Sequence, residues 1–144
     1  GACISTPAIM DQWTTGSHGG TYGGNPLACV AGSATLDVLK PQLQTVQDLG
    51  KKALDQLNRH LLNHPLIGEI RGLGLMIGIE FVSNRDHSAT AIVQMIRQQC
   101  LDKKLLIVSC GKEGHVIRLM PPLTISEQEL NDGLEIFISI CQQM

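Results

Sequence analysis

Residues 42–63 constrain the fold of this chain most strongly, because their apolar side chains recur with the period of an α-helix. Spacings of three and four residues separate the members of this stripe, which are Val46, Leu49, Ala53, Leu57 and Leu61. Charged residues occupy the positions between them, so one side of the helix must be buried against another layer of structure. His64 and Pro65 end the helix.

Short apolar segments follow this helix and predict strands. Residues 66–74 form a strand interrupted by glycines, and residues 75–82 are apolar except for Glu80. A continuous apolar run of this length is typical of a central strand that is covered on both faces. Two further segments, residues 105–109 and 115–120, flank a glycine-containing turn and predict a hairpin.

Further helices alternate with these strands. Residues 91–103 carry their apolar side chains on one stripe. Ser126, with Glu129 three positions later, is a capping box that starts a final amphipathic helix. The alternation predicts an α+β fold in which a short, mostly antiparallel sheet is covered by helices.

A proline near residue 40 predicts a domain boundary. Residues 27–40 form a helix rich in small side chains, and Pro41 breaks the chain at its end. We therefore expect residues 1–40 and residues 41–144 to belong to different structural bodies.

Composition and charge exclude several classes of function. The formal net charge of −2 gives no basic surface for nucleic acid, and no apolar run is long enough to span a bilayer. The five cysteines form no C-x-x-C pair and lie beside aliphatic residues, which favours buried free thiols in a reducing compartment. His60 and His64 have helical spacing but no third ligand nearby. We expect a cytoplasmic protein that binds no metal, nucleic acid or membrane.

The glycine-rich segment of residues 16–24 is the first candidate site. It holds five glycines in nine residues, a composition typical of a backbone that adopts positive φ or approaches another group closely. Such a loop can present N–H groups to an anion such as phosphate, and Thr21 adds a hydroxyl. Asn25 and Pro26 then begin a helix as its N-cap and first residue. Spacing alone favours a flexible loop with a helix cap over a phosphate site, because no phosphate-loop motif is matched.

Arg118 is the second candidate, because it lies inside an apolar strand where an unpaired charge is costly. The planar guanidinium suits a carboxylate, so one interpretation is an anchor for a substrate carboxylate. A structural ion pair or an edge position facing water is equally consistent with the pattern. Glu80 could pair with Arg71 or Arg118, although a strand residue facing solvent is the more frequent case.

Three motifs together resemble the class III (ω-) aminotransferases of the 4-aminobutyrate, diaminobutyrate and ornithine aminotransferase type. In chain order they are residues 19–29 (GGTYGGNPLAC), residues 71–80 (RGLGLMIGIE), and residues 109–111 with 116–125 (SCG and VIRLMPPLTI). The resemblance spans essentially the whole chain, and the first and third motifs are specific in combination.

The resemblance implies a fold-type I transferase that depends on pyridoxal 5'-phosphate and works as a homodimer. Residues 1–40 would be the end of the large, cofactor-binding domain, and residues 41–144 the small C-terminal domain. By the same resemblance Thr21 contacts the cofactor phosphate of the neighbouring subunit, with Gly20 and Tyr22 beside it, and Arg118 holds the carboxylate of the amino acid or 2-oxo acid. The activity implied is transfer of an amino group from an ω-amino compound to a 2-oxo acid.

The family's Schiff-base lysine is expected upstream of Gly1, together with the aspartate and the aromatic residue that contact the cofactor ring. The lysines that are present lie in no matching context; they are Lys40, Lys51, Lys52, Lys103, Lys104 and Lys112. We therefore expect this chain to hold no catalytic residue and to be inactive by itself, as the C-terminal part of a longer enzyme.

Two other functions are compatible with the residues. The chain could be a non-catalytic interaction or regulatory module that keeps the small-domain fold. It could instead be a separate phosphate-binding protein that uses the Thr21 loop. Binding of phosphate or pyridoxal phosphate would support the phosphate-binding protein. The surface formed by residues 1–24 should be covered and polar in an independent module, but poorly ordered or paired with another copy in a part of a longer enzyme.

Overall fold

The computed structural model describes residues 3–144, and the chain divides into two compact units, Gly1–Pro41 and Gln42–Met144. The first unit contains a short helix, α1 (Pro7–Met10), and a longer one, α2 (Pro26–Leu39). Helix α1 was not expected from the turn-rich sequence around it. None of the side chains of α2 is buried, although most of them are apolar.

The second unit contains three helices and four strands. In chain order they are α3 (Leu43–Leu61), β1 (Ile67–Leu73), β2 (Met76–Phe81), α4 (Ala89–Asp102), β3 (Val108–Cys110), β4 (Val116–Leu119) and α5 (Glu127–Cys141). Strand β3 is shorter than the predicted segment of residues 105–109. The other elements agree with the predicted ones to within about two residues, the usual uncertainty of helix and strand ends.

All four strands form one antiparallel sheet in the order β1-β2-β4-β3. Strands β1 and β2 form one hairpin, and β3 and β4 form the hairpin expected around residues 110–114. The predicted fold class, an α+β fold with a short antiparallel sheet and helices, is confirmed.

Helices α3, α4 and α5 pack on one face of this sheet. Leu57 of α3, Ile92 of α4 and Phe137 of α5 form a single core with Ile79 and Ile117 of the central strands. Each of these side chains is completely buried. The stripe of α3 that the sequence identified is therefore the helix surface that faces the sheet.

The expectation that β2 is covered on both faces is wrong. Ile77, Ile79 and Phe81 are buried, whereas Met76 is exposed and the residues between them are only partly covered. Side chains alternate between the two faces of a strand, and the helices cover only one. The apolar run of β2 gave the wrong prediction because Gly78 has no side chain, and Glu80 is the only polar residue that β2 places on the second face.

The second face of the sheet is called the open face below. Cross-strand pairing places Arg71 opposite Gly78, Gly78 opposite Arg118, and Arg118 opposite Val108. Paired residues of neighbouring strands project from the same side of a sheet, so these residues form one row across the open face.

Side-chain caps fix the starts of α4 and α5 in the second unit. Ser88 accepts a hydrogen bond from the N–H of Ala91 at the start of α4. Ser126 and Glu129 form the predicted capping box at the start of α5, with both reciprocal hydrogen bonds present. Each cap satisfies helix N–H groups that have no partner within the helix.

The expectation that the cysteines are buried is confirmed for Cys100 and Cys141 and is wrong for Cys3 and Cys29. Cys100 and Cys141 are buried, Cys110 is half-buried, and Cys3 and Cys29 are exposed. Burial raises the pKa of the Cys100 thiol to about 11 and raises that of Cys141 well above its ordinary value. Within residues 3–144, every helix is too short or too polar to cross a bilayer.

Candidate functional site

Asn25 holds the glycine-rich loop against the start of α2. Its Oδ1 accepts a hydrogen bond from the N–H of Ala28 at 2.9 Å, and its Nδ2 donates to the carbonyl oxygen of Tyr22 at 2.7 Å. The predicted N-cap and the proline at the first helical position are confirmed. No pattern in the sequence predicted the hydrogen bond from Asn25 to Tyr22. Through its two hydrogen bonds, the Asn25 side chain both caps α2 and holds the preceding loop.

Two of the five glycines in this loop need their conformational freedom. Gly16 has φ of +84° and Gly24 has φ of +74°, a region that other residues rarely adopt. At Gly19 and Gly20, an added Cβ would meet nothing within 4 Å. The absent side chains at those positions leave open space above the loop backbone.

The residues predicted to contact a cofactor phosphate, Gly20, Thr21 and Tyr22, lie together on the exposed turn before Asn25. Within residues 3–144, the N–H groups of Gly20 and Thr21 and the Thr21 hydroxyl donate no hydrogen bond. Adjacent unpaired donors in a turn are suited to binding an anion. Tyr22 is 85% exposed, so its ring contacts little of the surrounding chain.

Arg118 lies in β4, on the open face and in the second unit. Its side chain is half-buried, and its Nε atom is buried without a hydrogen-bond partner. Within the described part of the chain, Arg118 forms no ion pair. The structural ion pair considered from the sequence is therefore not found there, and the guanidinium has donors free for a ligand.

Glu80, the carboxylate that could have paired with Arg118, pairs with Arg71 instead. Arg71 donates hydrogen bonds to Glu69 and, at 2.9 Å, to Glu80. The hydrogen bond to Glu80 and then the charge of Glu69 raise the pKa of Arg71 above its ordinary value. His115 Nε2 lies 3.9 Å from Glu80 Oε1. Of the alternatives that the sequence left for Glu80, pairing with Arg71 is the one found.

A cavity of about 320 Å³ adjoins Arg118 at the end of the sheet near α5. Its lining is mainly apolar and includes Leu106, Val108, Leu130 and Leu134. Its size lies at the lower end of the range of small-molecule sites. Sequence reasoning did not identify this cavity, because its lining comes from three separate segments, residues 105–108, 118–121 and 125–134, whose spacing depends on the fold.

All six lysines are exposed; they are Lys40, Lys51, Lys52, Lys103, Lys104 and Lys112. Lys52 forms an ion pair with Glu127 on the surface. A lysine that attacks a carbonyl is usually activated by burial or by a neighbouring cation. Among the described residues, no three His, Cys, Asp or Glu side chains come together as a metal site requires.

A family model described as aminotransferase class III matches residues 1–141. The 4-aminobutyrate aminotransferase GabT of Escherichia coli is 42% identical over 137 residues, which cover 92% of this chain and 32% of the relative. An acetylornithine aminotransferase of Clostridium acetobutylicum is 34% identical over 140 residues, covering 95% of this chain and 34% of the relative. The chain spans about a third of the length of the curated relatives it matches.

Solved structures give the same result for the fold. The acetylornithine aminotransferase of Elizabethkingia anophelis superimposes with a TM-score of 0.78 at 29% identity, covering 98% of this chain and 34% of that protein. The ornithine aminotransferase of Toxoplasma gondii superimposes with a TM-score of 0.76 at 33% identity, covering 94% of this chain and 31% of that protein.

Proposed function

The chain belongs to the class III aminotransferase family, and we propose on this basis that the whole protein transfers an amino group from an ω-amino compound to a 2-oxo acid with pyridoxal 5'-phosphate. The names of its relatives support this substrate class, since they act on 4-aminobutyrate, acetylornithine, ornithine and 5-aminovalerate. Each of these amino compounds carries a carboxylate, so the enzyme needs a cation to hold it.

The observation that carries the proposal is the unpaired guanidinium of Arg118. Arg118 is half-buried and forms no ion pair within the described residues, so its guanidinium can pair with a group from outside them. A carboxylate fits, because its two oxygens match the parallel N–H groups of an arginine. Glu80, a nearby acidic side chain of the open face, already pairs with Arg71. We therefore assign Arg118 to the carboxylate of the amino acid or 2-oxo acid.

We assign the loop at Gly20, Thr21 and Tyr22 to the cofactor phosphate. The unpaired N–H groups and the Thr21 hydroxyl suit an anion, and the missing side chain at Gly20 allows it to approach the backbone. Asn25 would keep the loop in place through its bond to Tyr22. When bound, the cofactor supplies the carbonyl chemistry that carries the amino group, while this loop only binds and orients it.

The two units correspond, in this proposal, to parts of two domains. The first unit, Gly1–Pro41, would belong to the large domain and the second, Gln42–Met144, to the small domain. The apolar but exposed surface of α2 supports the first assignment, because a helix with apolar side chains on every side is normally buried. A homodimer in which Thr21 serves the neighbouring subunit's cofactor completes the proposal.

None of the six lysines is proposed as the catalytic one, because all are exposed and none lies among residues that would desolvate it. We therefore propose that this chain does not transaminate by itself. Incubation with pyridoxal phosphate should give no lysine-bound cofactor absorbance, and addition of 4-aminobutyrate and 2-oxoglutarate should give no amino transfer. Turnover that disappears when one of the six lysines is replaced would contradict this assignment.

Substitutions in the whole protein test the two assigned sites separately. Arg118→Gln should raise KM for the 2-oxo acid about 10- to 100-fold, which is the loss expected when one charged hydrogen-bonded pair is removed. Cofactor binding should be unchanged. Thr21→Val should instead weaken cofactor binding and change KM little. Arg71→Gln is the matched control, because Arg71 lies on the same face but is already paired. Equal effects of Arg71→Gln and Arg118→Gln would refute the assignment of Arg118.

A further inference from the structure

Four large apolar side chains form a row across one end of the open face. Leu73 of β1 pairs with Met76 of β2, and both residues project from the open face. The register of β2 with β4, continued past their last pair, places Met120 beside Met76. The register of β3 with β4, continued in the same way, places Leu106 beside Met120. The row of Leu73, Met76, Met120 and Leu106 is called the apolar strip below.

The exposure of these residues agrees with their place in the apolar strip. Their neighbours in the chain, Leu75, Ile77 and Ile107, are buried in the core, as the alternation of side chains along a strand requires. Leu106 and Met120 line the same cavity, so they lie close together in space. The exposed fractions in the strip are 85% for Leu73, 56% for Met76, 59% for Met120 and 80% for Leu106.

The apolar strip has the size and composition of an interaction surface. Contiguous exposed apolar patches on soluble proteins are rarely larger than a few hundred Å², and those of about this size are often functional. Four leucine and methionine side chains, each more than half exposed, make a patch of this order. Two such patches together approach the roughly 1,000 Å² that a specific interface needs. None of the four side chains is charged, so their burial leaves no charge without a partner.

We propose that the apolar strip binds the apolar strip of a second copy of this chain, with the two rows running in opposite directions. The order leucine, methionine, methionine, leucine is the same from both ends of the row, so a two-fold axis places like side chains against each other. Methionine side chains are flexible and adapt to such a contact. In this orientation the adjoining row places Arg71 opposite Val108, and Arg118 opposite Gly78, of the second copy. No two like charges of that row therefore face each other.

This contact is independent of the proposed function. The homodimer proposed above for the whole protein uses the loop at Thr21 in the first unit, whereas the apolar strip lies entirely in the second unit. Association through the strip requires no cofactor, so it can be measured on the 144-residue chain alone.

Sedimentation velocity of the chain between about 10 μM and 1 mM should show a reversible equilibrium between monomer and dimer. Leu73→Ser or Leu106→Ser should weaken dimerisation about 100-fold, because each substitution removes two buried leucines from a symmetric interface. Leu62→Ser is the matched control. Leu62 is 55% exposed but lies at the end of α3, so its substitution should leave dimerisation unchanged.

A charge pair tests the direction of the two rows. Leu73→Lys and Leu106→Glu should each prevent dimerisation when introduced alone. Combined in one chain they should restore it, because the lysine of one copy then faces the glutamate of the other. Leu73→Lys combined with Leu106→Lys is the control, since like charges would face each other and the chain should stay monomeric.

Three outcomes would overturn the inference. The first is a chain that remains monomeric at the highest concentration. The second is a dimer that persists in Leu73→Ser and Leu106→Ser but is lost in Leu36→Ser, which would locate the contact on α2 of the first unit. The third is a charge pair that fails to restore association. Circular dichroism verifies that each variant is folded, and Met120→Ser replaces Leu73→Ser if a substitution next to the β1–β2 turn prevents folding.

Discussion

Gly50 of α3 contacts Gly74, the turn residue between β1 and β2, without room for a side chain between them. A Cβ added to Gly50 would lie 2.7 Å from Gly74 Cα and closer still to the Gly74 carbonyl group. Gly74 itself has φ of +55°, so the turn needs glycine for its conformation as well. This contact positions the β1–β2 hairpin, and with it the paired Arg71 and Glu80, against the longest helix.

Gly50→Ala should therefore destabilise the second unit, even though alanine favours helices. The added methyl group would overlap backbone atoms that cannot rotate away, and overpacking of this kind costs about 1–3 kcal/mol in the free energy of unfolding. Urea unfolding followed by circular dichroism measures the change. Gly133→Ala in α5 is the control, since its Cβ has ordinary space and it should be neutral or stabilising. Equal stability of the two variants would show that α3 and the hairpin can move apart.

Lys104→Gly should stabilise the chain by about 0.5–1 kcal/mol, because Lys104 ends α4 in a conformation that suits glycine. Lys104 has φ of +63°, and the Leu105 N–H bonds to the Cys100 carbonyl oxygen at 2.8 Å in a Schellman motif. Thermal unfolding measures the gain. Lys103→Gly is the matched control: Lys103 has φ of −91°, so glycine there should give no gain. A loss of stability in Lys104→Gly would mean that the Lys104 side chain itself stabilises the turn.

Acid should weaken α5 through Glu129. Its pKa lies below its ordinary value of 4.5 because it accepts hydrogen bonds from the Ser126 hydroxyl and N–H. A carboxyl group with a lowered folded-state pKa stabilises the fold above its unfolded value and loses this contribution as pH falls through the folded value. In Glu129→Gln, the loss of stability between about pH 6 and pH 3 should be smaller than in the native chain.

Glu135→Gln is the control for this pH dependence, because Glu135 is exposed on the same helix. It should follow the native profile in urea unfolding measured at each pH. Coincident acid profiles of the native chain and Glu129→Gln would show that the capping box does not couple stability to pH.

Local patterns in the sequence predicted the elements of the second unit, because each depends on neighbouring residues. The period of α3, the Ser126 capping box and the turn of residues 110–114 are all of this kind. The local sequence could not predict the coverage of β2, because that coverage depends on which face of the sheet the helices pack against. An apolar run with one glycine and one glutamate fits a strand covered on one face as well as on two.

The candidate site was predictable in its residue types but not in its pairings. An arginine in an apolar strand signalled Arg118, but its lack of a partner depends on Arg71 drawing Glu80 from another strand. The free donors at Thr21 depend on the turn that Asn25 closes. The cavity at Arg118 depends on the spacing between α5 and the sheet edge, for which no sequence pattern exists.

Arg118→Leu should raise the free energy of unfolding by about 1 kcal/mol, because it removes a buried donor that no group in the described chain satisfies. Leucine would extend the apolar surface of the adjoining cavity. Arg71→Leu is the matched control on the same face: it removes the partner of Glu69 and Glu80 and should give no gain. Urea unfolding measures the stability of both variants, and a titration with acetate measures their carboxylate binding. A more stable Arg118→Leu chain that no longer binds acetate would show that Arg118 costs stability and serves a ligand. A loss of more than about 1 kcal/mol would instead give Arg118 a structural role and remove the main support for the carboxylate site.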